Sequence, residues 1–271
     1  MNSKPPHFLQ AVLGRYANSL PFSRPHVTLT FAQSLDAKIA GEEGRQLILS
    51  GKESMVMTHW MRTMHDAILI GIGTALNDDP QLNVRHLPQP VSTSYHLPRP
   101  IIIDTHLRLS PTCKLLRNFQ NGVGRRPWVL SISTETPLFR SGIVLDDAKL
   151  DRKRALEAAG ARIVGIPPIN DDSTRIFIPT ALQTLRDLGI RSLMVEGGAR
   201  IIASFLAEDA VDTLIITTAP VFVGNAGVGY SYPMVFSESG EIKNKFKEVH
   251  TELFGSDTVV SLVSEPLSKL P

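Results

Sequence analysis

The order of strand-like and helix-like segments predicts an α/β protein with a mostly parallel central sheet, helices on its flanks and an antiparallel C-terminal edge. Three observations carry that expectation. Short apolar runs such as residues 67–71 and 100–104 have the length and the Ile/Leu content of strands buried on both faces. Helical patterns separate such runs, and strand–helix–strand connections favour parallel pairing. After residue 210 helices give way to a long strand-like run, 211–223, and to a hairpin pattern, 245–253 and 258–263, around Gly255-Ser256-Asp257.

The elements follow in order. Phe8, Val12, Leu13, Tyr16 and Leu20 stand at helical spacing, and Pro21 stops that helix. A first strand covers 26–32. The polar, glycine-containing stretch 33–51 is expected to be a loop bordering a site. Residues 52–65 read as a helix and 67–71 as a strand. Further strands are expected at 100–104, 128–133, 162–166 and 192–196, with helices near 147–159 and 180–188. Residues 87–99, 118–126 and 167–174 are rich in Pro, Gly, Asn or Asp and read as loops. With no repeat and no linker composition, the expected organisation is an N-terminal helical extension, residues 1–24, and one domain, residues 25–271.

Composition narrows the functional classes. Hydrophobic residues at 42% and charged residues at 20% are ordinary for a globular protein, and the net charge is +2. The basic residues are scattered rather than banded, so a nucleic-acid partner is not expected. Cys113 is the only cysteine, which excludes an internal disulfide and a Cys-x-x-Cys zinc site. His59 and His65 are six apart with no acid to complete a ligand set, so no metal is expected. No apolar run has the length of a membrane span. Residues 8–20 are amphipathic and interrupted by Arg15 and Asn18, unlike a signal peptide, so a cytoplasmic location is expected.

The most informative segment is Ser192-Leu-Met-Val-Glu-Gly-Gly-Ala-Arg-Ile-Ile-Ala-Ser-Phe-Leu206. An apolar run ends in Glu196, two glycines follow, and a helical pattern begins. The first N–H groups of a helix lack intrahelical partners and carry partial positive charge, so such a turn favours a phosphate. Gly197 and Gly198 let the backbone approach a ligand closely. Glu-Gly-Gly also occurs in ordinary strand-to-helix turns, and these glycines are adjacent and late in the chain, unlike a Rossmann fingerprint.

A second cluster, Gly71-Ile-Gly-Thr-Ala-Leu-Asn-Asp-Asp-Pro-Gln-Leu-Asn-Val-Arg85, follows a buried strand. It reads either as a capped glycine turn, with Thr74 at a helix start, or as a site. In the second reading Thr74 and Asp78 hold polar parts of a cofactor, and Arg85 reaches a substrate phosphate through its planar fork. Asp36 and Lys38 directly follow a strand and could line the same cleft.

Ser34-Leu-Asp-Ala-Lys-Ile-Ala40, Arg62, Gly73-Thr-Ala-Leu-Asn-Asp-Asp-Pro-Gln-Leu-Asn-Val-Arg85, Pro98-Arg-Pro-Ile-Ile-Ile-Asp104 and Val195-Glu-Gly-Gly198 occur together and in this order. The set resembles the riboflavin-pathway reductases: the 2,5-diamino-6-ribosylamino-4(3H)-pyrimidinone 5′-phosphate reductases of fungi and archaea, and the reductase half of the bacterial bifunctional deaminase–reductase. The resemblance runs from about residue 25 to residue 263, and the missing deaminase cysteines make it that of the stand-alone form.

The resemblance implies a dihydrofolate-reductase-like fold, a homodimer, NADPH as cofactor with NADH as an alternative, and a phosphorylated pyrimidinone as substrate. It implies cofactor contacts at Thr74, Asp78, Val164, Gly197, Gly198, Ala199, Arg200 and Ile201, and substrate contacts at Arg62, Arg85 and Glu196. The 33–50 loop departs from the bacterial form, having Arg45-Gln-Leu where that form has an aromatic substrate contact. In the implied reaction a ribosylamine opens to an imine that accepts hydride. Glu196 is the expected catalytic carboxylate, Asp36 a second acid, and Arg62 and Arg85 the phosphate anchors. The competing expectations are a reductase of this fold acting on another heterocycle, or a non-catalytic NADP-binding protein.

Overall fold

The computed structural model describes residues 4–14, 23–89, 94–133, 147–168, 175–231 and 246–264. The first half holds α1 (His7–Gly14), β1 (His26–Gln33), β2 (Lys38–Ala40), α2 (Lys52–Thr63), β3 (Ala67–Gly71), α3 (Ile72–Asp78), β4 (Arg99–Ile103), α4 (Lys114–Gln120) and β5 (Trp128–Ile132). The second holds α5 (Asp147–Ala158), β6 (Arg162–Ile166), α6 (Ile178–Asp187), β7 (Ser192–Gly197), α7 (Ala199–Ala207), β8 (Thr213–Thr218), β9 (Val228–Gly229), β10 (Phe246–Phe254) and β11 (Asp257–Ser264).

A nine-stranded sheet has the order β10-β11-β8-β1-β7-β3-β4-β5-β6. Every pairing from β8 to β6 is parallel, and β11 and β10 add the antiparallel edge. That is the architecture the sequence predicts. Strand alternation divides the core between the two faces. In β3, Ile68 and Ile70 pack with Met57, Trp60 and Met61 of α2, Leu116 of α4 and Leu156 of α5. Ala67 and Leu69 pack on the other face with Leu182 and Leu185 of α6 and Ile202 and Phe205 of α7.

The topology creates the site. From β3 the chain steps outward through β4, β5 and β6, then returns to insert β7 between β3 and β1. The carboxyl ends of β3 and β7 are therefore adjacent, while α3 packs toward one face and α7 toward the other. Ligands of open α/β sheets bind in such a crevice.

The structure departs from the predicted elements in specific places. The 211–223 run yields only β8: after Thr218 the Ala219 N–H still donates to Gln33 O, but the Val221 N–H turns back to Ala219 O, and Leu35 N–H donates to Val221 O. The chain thus leaves the sheet while tied to the loop after β1. A helix, α4, covers the start of the predicted 118–126 loop. The 33–51 segment includes the short strand β2, paired with β9. Of the predicted first helix, Tyr16, Leu20 and Pro21 lie outside the described residues, as do 169–174 of the 167–174 loop. The described part, α1, is integrated into the core: Phe8, Leu9 and Val12 are buried, and Phe8 stacks on His250 at 4.9 Å.

Two buried carboxylates hold the frame. Asp212 accepts both forks of Arg24 at 2.6 Å and the Val27 N–H at 2.8 Å, joining the starts of β1 and β8. Asp257, on β11, accepts the Gly51 N–H at 2.7 Å and the Ser54 hydroxyl at 2.5 Å. It caps α2 from a distant strand, since α2 has no local side-chain cap.

Three buried histidines, His26, His59 and His65, make folding pH-sensitive. His65 sits between Met61 O (Nδ1, 2.7 Å) and the Thr28 hydroxyl (Nε2, 2.8 Å). Burial lowers both His65 and His26 from 6.5 to about 4, and His59 to about 3. Their folded values lie below the unfolded value, so between those limits the unfolded chain binds more protons. Their contribution is complete above the unfolded value and is lost as pH falls toward the folded values, at up to about 1.4 kcal/mol per pH unit for each histidine. The urea midpoint is expected to drop between about pH 7 and about pH 5. An unchanged midpoint over that interval would contradict neutral burial of these rings.

Candidate active site

Glu196 stands at the end of β7. Met194, two residues earlier, faces the α2 side of the core, and the strand repeat of two puts Glu196 on the same face. Arg62, in the last turn of α2, meets it there as a fork: Nε donates to Oε1 at 2.9 Å and Nη2 to Oε2 at 3.0 Å. The side chains are 11% and 18% exposed, so the pair is well shielded from water. Arg62 Nη1 donates to Asn83 O at 3.0 Å. Three of the five Arg62 N–H donors are given to Glu196 and to the loop after α3, and one on each Nη is left for the substrate contact expected of it.

That loop presents Arg85. Its backbone N–H donates to Nδ1 of His59, 3.0 Å away, so the neutral imidazole carries its proton on Nε2. Burial, then the positive charges of Arg62 and Arg85, hold His59 down at about 3. The neutral ring can thus accept the Arg85 N–H without adding a third positive charge. The Arg85 side chain is exposed, and its guanidinium has no hydrogen bond among the described residues. Burial and Arg62 lower its pKa, with Glu196 acting in the opposite direction.

The glycine turn joins the two crevice helices. Gly197 has φ +99, a left-handed conformation suited to glycine, and a Cβ there would come 3.1 Å from Ile202. The Gly197–Gly198 peptide is cis. Thr74 is the third residue of α3 rather than a residue capping its start, and its Oγ1 accepts the Gly198 N–H at 2.8 Å. A Cβ on Gly71 would lie 2.7 Å from Ile201, so glycine there lets α7 sit against the end of β3. Ile201 and Ile202 N–H both donate to Gly198 O. The N–H groups of Ala199 and Arg200, at the positive end of α7, have no intrahelical acceptor. Asp78, at the end of α3, is half-buried, has no hydrogen-bond partner among the described residues, and has its pKa raised by that burial.

A cleft of about 170 Å³ opens beside Glu196 between the sheet and α2, lined by Thr30, Ser50, Thr58 and Thr217 among others. A larger surface hollow of about 320 Å³ lies between Asn77 of α3 and Glu42, Glu43, Arg45 and Gln46. It shares no lining residue with the cleft beside Glu196.

Two expected residues do not join this cluster. Asp36 accepts the Ser34 hydroxyl at 2.5 Å, Val223 N–H at 3.1 Å and Gly224 N–H at 2.8 Å. The Ser34 bond, followed by the backbone bonds, lowers its pKa to about 2. Asp36 thus pins the loop after β8 and is not an acid with a proton to donate at neutral pH. Val164 lies on the edge strand β6, four strands from β7, and is buried in the core. Lys38 pairs through its backbone with Gly229, and its N–H donates to the Ser34 hydroxyl.

Sequence reasoning missed His59 as the support of Arg85. A His three residues before Arg62, on the buried side of α2, was the available signal. Among the described residues no group of three or more His, Cys, Asp or Glu could hold a metal. His59 and His65 are each committed to the contacts above.

A model of the RibD C-terminal domain matches residues 25–260. A 2,5-diamino-6-ribosylamino-4(3H)-pyrimidinone 5′-phosphate reductase of Debaryomyces hansenii is 40% identical over 226 residues, covering 83% of this chain and 85% of that protein. The solved structure of the Saccharomyces cerevisiae riboflavin biosynthesis reductase Rib7 superposes with a TM-score of 0.68 at 30% identity, over 96% of this chain and 98% of that one. Acinetobacter baumannii RibD shares the fold, with a TM-score of 0.71 at 23% identity over 95% of this chain and 62% of that chain. The architecture is dihydrofolate-reductase-like. The chain belongs to the RibD C-terminal domain family.

Proposed function

We propose that this chain is an NADPH-dependent reductase that converts 2,5-diamino-6-ribosylamino-4(3H)-pyrimidinone 5′-phosphate to its ribitylamino form in riboflavin biosynthesis. The observation that carries the reading is the Arg62–Glu196 fork, set between the glycine turn of α7 and a polar cleft. Relatives carrying that activity in their names support the choice of substrate.

The turn suits a dinucleotide phosphate. Ala199 and Arg200 N–H groups are open at the positive end of α7. The Thr74 hydroxyl, having accepted the Gly198 N–H, keeps its own proton to donate. Gly73 leaves the facing surface of α3 open, since a Cβ there would meet nothing within 4 Å. Asp78 offers an acceptor for a sugar hydroxyl. Gly197, Gly198 and Ile201 shape the turn, and Val164 would meet only the far end of an extended dinucleotide. Arg200, on the exposed side of α7, is the candidate for the 2′-phosphate that distinguishes NADPH from NADH. Bound NADPH supplies the hydride.

The protein's part is positioning and electrostatics. The fork prevents Glu196 from rotating, so one carboxylate face is held toward the substrate carbon, where it stabilises iminium charge in the opened ribosylamine. Arg85 anchors the phosphate, and that remote binding energy holds the reacting carbon in place. A cytoplasmic homodimer of a single reductase domain, residues 25–271, preceded by the N-terminal helical extension 1–24, belongs to the same proposal. The edge strand β10, with Leu253 70% exposed, is the feature that supports association.

Glu196→Gln is expected to lower kcat by about 10²-fold or more with NADPH binding retained. Near-normal turnover would remove Glu196 from the chemistry. NADPH oxidation is expected with the phosphorylated substrate and to be weak with its dephosphorylated form, and Arg85→Ala is expected to raise KM for the former only. Equal KM for the two forms would overturn the phosphate anchor. No oxidation with either form would move the function to another heterocycle or to a binding role.

A further inference from the structure

The cleft beside Glu196 has an arrangement that the proposed chemistry at Glu196 does not use. One step beyond the paired residues Leu29 and Val195 lie Thr30 and Glu196, and Ala32 on β1 pairs with Thr217 on β8. Thr28, two residues before Thr30, bonds His65 behind α2, and Ile215, two before Thr217, packs in the α2-side core. Strand alternation therefore places Thr217, Thr30 and Glu196 on one face across three neighbouring strands, roughly 10 Å from end to end. Ser50 and Thr58 close the cleft from above.

Thr30 and Thr217 are 5% and 3% exposed, and neither hydroxyl has a hydrogen-bond partner among the described residues. The Thr58 hydroxyl donates to Ser54 O at 3.0 Å and keeps its oxygen free to accept. Buried hydroxyls in strand interiors are ordinarily paired. These line a cavity instead, and their environment asks for a polar, flat occupant.

The order of groups identifies that occupant. The loop carrying Arg85 lies on the β3 side of Glu196, and the hydroxyls lie on the β1 and β8 side. With the phosphate at Arg85 and the reacting carbon at Glu196, the sugar chain fills the first interval. The heterocycle attached to that carbon falls on the hydroxyls. We propose that Thr30 and Thr217, assisted by Thr58 and Ser50, seat the aminopyrimidinone ring and set its orientation relative to the reacting carbon. A hydroxyl both donates and accepts, so this wall matches a ring edge that alternates N–H donors with carbonyl and ring-nitrogen acceptors. The assignment rests on the reductase activity proposed above.

The test uses Thr30→Val and Thr217→Val, which keep shape and remove the hydroxyl, with Thr30→Ser and Thr217→Ser as restoring variants. KM for the phosphorylated substrate is expected to rise about 3- to 10-fold for each valine variant, and to return toward the parent value with serine. The dissociation constant for NADPH should not change. Ribose 5-phosphate, which has the sugar and phosphate but no ring, should inhibit the parent and the valine variants with the same constant. Unchanged KM in both valine variants would overturn the assignment. Parallel weakening of ribose 5-phosphate would overturn it in favour of sugar recognition. Failure of the unsubstituted protein to oxidise NADPH with this substrate would instead overturn the activity on which the assignment rests.

Discussion

The fork between Arg62 and Glu196 is the interaction on which the site depends. It joins the end of the α2 helix to the end of the β7 strand, and through Arg62 Nη1 it also holds the loop that presents Arg85. A shielded ion pair is weak evidence for stability, since desolvation offsets much of the attraction, yet removing one partner strands the other. Its value here is geometric: two parallel N–H bonds leave the carboxylate one orientation. Supports extend outward from it. Asp257 caps the far end of α2 from β11, so the C-terminal hairpin indirectly sets where Arg62 ends up.

Charge is arranged with equal economy. Arg62 and Arg85 lie close enough to depress Arg85, and Glu196 neutralises only one of them. The remaining cation has no protein partner among the described residues, which leaves it for an anion. His59 supports it without protonating, because burial and the two arginines hold the ring neutral. On the opposite face of the sheet, the α7 turn offers backbone N–H groups rather than side-chain charge. In the proposed function one crevice would thus offer two chemically different anion seats, one on a guanidinium and one on a helix terminus, with the carboxylate between them.

Much of the fold was legible because burial imposes simple patterns. The runs at 67–71 and 192–196 had to be two-faced strands, and Gly197-Gly198 before an amphipathic run had to be a turn into a helix. The antiparallel edge followed from the hairpin around Gly255. Local sequence could not show where β8 ends, because its departure depends on hydrogen bonds to Gln33 and Leu35 from a distant loop. Glu196, Arg85 and Thr74 were legible as candidate site residues from strand-end and turn positions. The partner of Arg62 was not, since 134 positions separate it from Glu196. Asp36 illustrates the converse: its place after a strand suggested an acid, but three donors from Ser34, Val223 and Gly224 commit it to holding a loop. Thr30 and Thr217 gave no signal because threonine is an ordinary strand former.

The measurement that most directly tests this arrangement is the split between kcat and KM in Arg62→Lys. Lysine keeps the charge but cannot form two parallel bonds to the carboxylate. If Arg62 orients Glu196, kcat falls, KM for the phosphorylated substrate changes little, and NADPH affinity is retained. A rise in KM with kcat unchanged would contradict this and return Arg62 to the phosphate.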